Sequence, residues 1–191
     1  MPIKSFPISE IAWEFLRRNP GYQAEARLHG MRLGRANSGF DFPVYRQAEH
    51  DRKAECWGLL AYTAPNAQAK NTPPFWAIGP MIEAEIVETA NAPFLPRLRQ
   101  SGARVSGLAL QDGGFVLRIS REHHAVQLHV AGGDIASLSL DIALRIPFGL
   151  RLPVLLSRAN DLWNMAFEEH PKKVQPLIQR NSPNFFSPLT A

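Results

Sequence analysis

The feature that most constrains this fold is a change of hydrophobic period near residue 150. Phe115, Leu117 and Ile119 alternate with Val116, Arg118 and Ser120, and Val126, Leu128 and Val130 repeat the pattern. Leu138, Leu140, Ile142 and Leu144 then alternate with Ser137, Ser139, Asp141 and Ala143. A period of two is that of half-buried strands. From Arg151 the period becomes about 3.6, with Leu152, Leu155, Leu156, Ala159, Leu162, Trp163 and Ala166 on one broad stripe, as in an amphipathic helix. Pro153 is tolerated only in a first turn, which predicts a helix start near 150–152.

Val105 to Leu110, an Asp112-Gly-Gly turn and Phe115 to Ser120 read as a β-hairpin, because the turn supplies glycines for positive-φ positions. The carboxy-terminal part is therefore expected to be an antiparallel β-meander covered by one amphipathic helix. Beyond His170 the chain carries Pro171, Pro176, Pro183 and Pro188, which predicts a poorly ordered tail.

The amino-terminal part reads as helical. Ser9 can cap a short helix in which Ile11, Ala12, Phe15 and Leu16 share a face, and Arg17 and Arg18 complement its negative end. Asn19 before Pro20 stops that helix, and Pro20 suits the first turn of a second one carrying Tyr22 and Ala26. Residues 8–30 are thus expected to form a helical hairpin. Gly34 to Gly39 reads as a loop, Val44 to Ala54 as a weak helix, and Cys56 to Tyr62 and Ile82 to Val87 as strands. Trp57, Phe75 and Trp76 are suited to pack together. The fold class is α+β, divided into residues 1–98, 99–168 and a tail, 169–191.

Composition bounds function more than it defines it. With 45% hydrophobic residues in 191, the chain can build a real core. No stretch reaches the run of about 18 apolar residues that spans a bilayer, and Glu10 and Glu14 interrupt the only early apolar patch. No membrane association and a cytoplasmic location are expected. The single cysteine, Cys56, excludes an internal disulfide and reads as a small buried apolar residue. Lys and Arg number 21 against 17 Asp and Glu, an excess that permits nucleic-acid contact without demanding it.

No motif of catalysis emerges. His123 and His129 on one strand would lie about 20 Å apart at about 3.3 Å per residue, too far for one metal, and adjacent His123 and His124 would point to opposite faces if the strand already runs there. No Gly-x-Ser-x-Gly elbow, Gly-x-x-x-x-Gly-Lys loop or metal-spaced His or Cys pair occurs, so no catalytic residue, metal or cofactor is assigned. Glu83 and Glu85 read as a solvated strand face. For nucleic acid the candidates are Arg145, Arg151 and Arg158, the last two seven apart and so near one side of the last helix. Their alternative role is to solvate its polar face.

Ala12-Trp-Glu-Phe-Leu-Arg-Arg-Asn-Pro-Gly-Tyr, Trp57-Gly-Leu, Pro74-Phe-Trp, Leu150-Arg-Leu and Leu162-Trp163 occur in this order. Together they resemble a proteobacterial group of transcriptional-regulator-like proteins, the FseA and QseM type activators and antiactivators of integrative and conjugative elements. The type VI secretion activator RovC is a relative of that group. The resemblance runs from about Ser9 to Trp163 and rests on Trp13, Phe15, Leu16, Arg17, Arg18, Asn19, Pro20, Tyr22, Trp57, Gly58, Trp76 and Trp163.

The resemblance implies a non-enzymatic role in transcription, acting on DNA directly, through a helix-turn-helix partner, or as a homo-oligomer. In the group, the helix matching Leu152 to Trp163 is followed by a helix-turn-helix variant. Here the proline-broken tail leaves no room for one. Some members of the group are read as two adjacent frames joined by ribosomal frameshifting, and an upstream piece of such a pair and a truncated chain are the two readings this leaves open. An antiactivator that binds protein without touching DNA is the alternative, and a small enzyme with an unrecognised site the third reading.

Overall fold

A computed structural model describes residues 8–28, 34–35, 42–69, 71–79, 81–87, 94–130, 141–147, 149 and 151–167. The protein is a mixed α+β structure in which a mostly antiparallel sheet is flanked by helices. Helices α1 (Ile8–Leu16) and α2 (Pro20–Leu28) come first, followed by the short strands β1 (Gly34–Arg35) and β2 (Val44–Arg46) and a 3₁₀ helix, Glu49–Trp57. Strand β3 (Ile82–Val87) and helix α3 (Phe94–Gln100) lead into β4 (Arg104–Ala109), β5 (Phe115–Arg121), β6 (His124–Val130), β7 (Asp141–Arg145) and α4 (Leu152–Phe167).

The seven strands among the described residues form one sheet in the order β1-β2-β4-β5-β6-β3-β7. β4, β5 and β6 pair antiparallel in sequence, and Gly113 in the first turn has a φ of 86°, the left-handed conformation that glycine adopts without strain. The sheet is larger than a four-strand meander. β7 pairs not with β6 but with β3, which lies parallel to β6 and separates the two. At the other side β2 runs parallel to β4. Strands from both sides of residue 98 therefore share one sheet.

Four local expectations give way. Val44 to Ala54 is a three-residue strand followed by a 3₁₀ helix, because Val44 and Tyr45 are claimed by pairing with Gly107 and Leu108. Cys56 to Tyr62 is no strand: Trp57 ends the 3₁₀ helix, and Leu59 makes one isolated bridge to Trp76. Cys56 is exposed rather than buried. The loop read at 34–39 contains β1 at its start, while residues 131–140, His29, Gly30 and everything after 167 lie outside the described residues.

The main core lies between one sheet face and α3 and α4. Leu117, Ile119, Leu128 and Ile82 meet Leu98, Leu155, Leu162 and Met165 there. Arg121 at the end of β5 donates to the Met165 carbonyl at 2.8 Å, satisfying an oxygen that the last turn of α4 leaves open. Only part of the long stripe on α4 is used: Leu155 and Leu162 are buried, but Leu156 is 51% and Trp163 60% exposed. The stripe is wider than the surface the sheet offers.

The opposite sheet face is covered as well. β5 was read as half-buried, yet every residue from Phe115 to Ser120 is buried. Tyr45, Leu108 and Val116 on this face pack against Ala61 and Phe75 from the segment between the 3₁₀ helix and β3. The sheet is thus a middle layer.

Candidate functional site

The amino-terminal segment is organised around Trp13, Tyr22 and Tyr62. Trp13 and Tyr22 meet edge to face with centroids 5.8 Å apart, and Trp57 lies edge-on to Tyr22 at 5.7 Å. Each of these polar-tipped rings finds a partner, as buried Trp and Tyr require. Trp13 Nε1 donates to the Ala67 carbonyl (3.1 Å) and Tyr22 Oη to the Thr63 carbonyl (2.6 Å). Glu25 Oε2 accepts from both Trp57 Nε1 (2.7 Å) and Tyr62 Oη (3.0 Å). Burial pushes the Tyr22 phenol well above its ordinary range and, helped by Glu25, raises Tyr62 to about 12.

The motif residues divide accordingly. Trp13 and Tyr22 are buried, and Leu16, Trp57 and Trp76 pack against the same cluster. Phe75 belongs elsewhere, against Tyr45 at 6.2 Å, so the three aromatics expected together fall into two groups. Asn19 Oδ1 accepts from the Gly21 and Tyr22 amides and caps α2, with Pro20 at its first position. Arg17 and Arg18 both pair with Glu14, at 2.8 and 3.2 Å, and Arg17 also donates to the Pro65 carbonyl. Gly58 closes the 3₁₀ helix with a φ of 74°.

The inward face of α1 is not the expected one. Ile11 and Phe15 are 46% and 73% exposed, whereas Trp13 and Glu10 are buried. Trp13 decides the rotation: its large ring and its bond to Ala67 outweigh the smaller side chains. Glu10 turns inward with it and pairs with Arg104 at 3.3 Å.

The three arginines proposed for nucleic acid are placed separately. Arg145, on β7, pairs with Glu85. Arg158, on α4, donates to the Ala125 carbonyl at 3.3 Å and lies 3.8 Å from Asp161. Arg151 precedes α4 and is exposed. Glu83, beside Glu85, bonds His129 at 2.9 Å, and His124 pairs with Asp161 at 3.2 Å. The strand begins only at His124, so His123 lies in the turn, where Glu122 has a φ of 53°, and the two histidine rings lie 4.1 Å apart.

A polar seam that the alternation pattern hid joins the two halves. Across the covered sheet face, Ser106, Arg118 and Gln127 stand in one row, and Arg104 pairs with Ser120 in the next. Arg118, on the middle strand, is 2% exposed and donates to Ser9 Oγ of α1 at 3.2 Å. Burial lowers its guanidinium to about 10, against the pull of Glu10, so it stays charged at neutral pH. Two cavities, each of about 300 Å³, flank this side chain. One lies toward β6, where Trp76 also lines the wall and its buried indole N–H has no hydrogen-bond partner among the described residues. The other lies toward β4. The alternation of Ser106, Arg118 and Ser120 does not distinguish this face from a solvated one, since serine and arginine are ordinary residues on an exposed strand face.

Among the described residues no three His, Cys, Asp or Glu side chains gather as a metal site, and no helix is long and apolar enough to cross a membrane. Residues 2–60 match the family model of a proteobacterial transcriptional regulator-like domain. The matched segment contains α1, α2 and the 3₁₀ helix, and Trp76 and Trp163 lie beyond it. No curated protein matches the chain. The family match supports a regulatory role.

Proposed function

We propose that this chain is a non-enzymatic component of a transcription regulator, belonging to a mobile element or a secretion-gene cluster, that reaches its promoters by assembling with a DNA-binding partner. The match of residues 2–60 to a transcriptional regulator-like domain carries the reading. Assembly is favoured over direct contact because two of the three candidate arginines, Arg145 and Arg158, lie against carboxylates, which offsets the charge that phosphates would meet, leaving Arg151 as the exposed one. The side available to a partner is the outer ridge of α4, where Leu156 and Trp163 are half or more exposed and Trp163 stacks on Phe167 at 4.0 Å. Large exposed apolar side chains gathered on one surface mark interaction sites.

Titrating the purified chain against DNA from upstream of its own coding sequence, at two salt concentrations, tests this. The reading predicts at most weak binding that fades steeply with salt and does not distinguish that DNA from random sequence. Tight, sequence-selective binding by the chain alone would replace assembly with direct contact.

A further inference from the structure

The buried guanidinium of Arg118 poses a chemical question that the regulatory reading leaves open. Among the described residues it has one hydrogen-bond acceptor, the Ser9 hydroxyl, and no carboxylate at ion-pair distance, since the Glu10 carboxylate is taken by Arg104. A guanidinium carries five donors, and a buried charge without a matched partner is costly.

The β4-side cavity presents the complement of an anion. Its wall includes Arg99, Arg104, Arg118, Ser106, Ser120 and Asn71, and no acidic residue among those lining it. Ser106 and Ser120 are themselves 6% and 3% exposed, so the hydroxyls stand beside Arg118 inside the fold rather than at its surface. Sheet register fixes the arrangement: Ser106 is opposite Arg118 and Ser120 opposite Arg104, four polar positions in two adjacent rows. A rigid sheet holds such donors in place better than a loop does.

We propose that this cavity binds a small metabolite through a single oxyanion group, a phosphate or a carboxylate, held by the Arg118 fork and the two serine hydroxyls. A planar guanidinium meets either group with two parallel hydrogen bonds. A volume of about 300 Å³ admits a compact molecule and excludes a peptide or nucleic acid. Because Ser9 of α1 shares the same guanidinium, an oxyanion there tightens or competes with the contact between α1 and the sheet. The inference rests on the cavity and not on the regulatory reading.

The test is calorimetric titration of the full chain with inorganic phosphate and, separately, with succinate, at an ionic strength held constant with chloride. Saturable binding of one or both is expected, and which of them binds identifies the chemistry. Arg118→Gln is expected to weaken it at least tenfold. The Ser106→Ala, Ser120→Ala double variant keeps the guanidinium and should do the same, so it carries the test if Arg118→Gln does not fold. Arg158→Gln, which alters only the β6-side cavity, should bind as the parent does. No saturable binding of either anion, or binding that the serine variant leaves unchanged, overturns the proposal. Loss in Arg158→Gln equal to that in the serine variant also overturns it.

Discussion

Gln127 holds the backbone of Trp76 from both ends of its amide: Nε2 donates to the Trp76 carbonyl and Oε1 accepts from the Trp76 N–H, each at 2.9 Å. A side chain on β6 thereby replaces the strand that would otherwise satisfy these two backbone groups. It is one of several polar ties between the amino-terminal segment and the sheet, with Arg104 to Glu10 and Arg118 to Ser9. Gln127→Leu keeps volume and removes both bonds. We expect a loss of about 1–3 kcal/mol, since it leaves a part-buried donor and acceptor unmet, read as a lower urea midpoint.

Neighbouring residues on α4 should behave oppositely. Leu162 is 2% exposed in the main core and Trp163 is 60% exposed outside it. Leu162→Ala is expected to cost about 2–5 kcal/mol of stability. Trp163→Ala should stay within about 1 kcal/mol while weakening assembly. Thermal unfolding of the two variants, beside sedimentation of each with the partner that co-purifies with the parent, separates the effects.

Gly58 is fixed by two demands at once. Its φ of 74° suits glycine, and a Cβ there would lie 2.3 Å from Ile78 Cδ1. Gly58→Ala should destabilise by about 1 kcal/mol or more, beyond the usual benefit of reducing unfolded-state freedom. Adding Ile78→Ala, at a side chain already 71% exposed, removes the clash but not the strained φ. Partial recovery in the double variant is the expected result in chemical denaturation.

Alkaline pH supplies a check on the buried phenols. The unfolded chain releases tyrosine protons near 10, whereas folding holds Tyr62 up to about 12 and Tyr22 higher still. Between these values the folded state binds more protons, so the stability they contribute is fully present below pH 10 and declines as pH rises through the folded values. Arg118 acts in the other direction, because burial lowers its value to about 10 and the folded state binds fewer protons above that. Two groups against one leave a net decline. Denaturation midpoints measured above pH 10 should fall, and Tyr62→Phe should flatten the slope.

How much of this was legible depended on whether a signal was local. The period change at residue 150 located α4, and alternation located β4, β5 and β6, because each element shows its own buried face. β2 was missed because three residues, Val44–Arg46, hold too short a pattern, and their strand is set by partners more than sixty residues away. The place of β3 between β6 and β7 is likewise a matter of pairing, which a strand's own residues do not encode. The burial of Arg118 was not legible for the same reason: alternation shows that a strand has two faces, not what covers the second. On α1, periodicity favoured Ile11 and Phe15, while the docking of Trp13 on Tyr22 settled the matter.

The regulatory account is tested most directly by deleting the gene and profiling transcripts, then complementing with the parent and with the Leu156→Ser, Trp163→Ser variant. The account predicts that a defined set of transcripts changes on deletion, returns with the parent, and does not return with a variant that folds and accumulates normally. Transcripts that remain unchanged on deletion, under conditions where the parent protein is present, would contradict it.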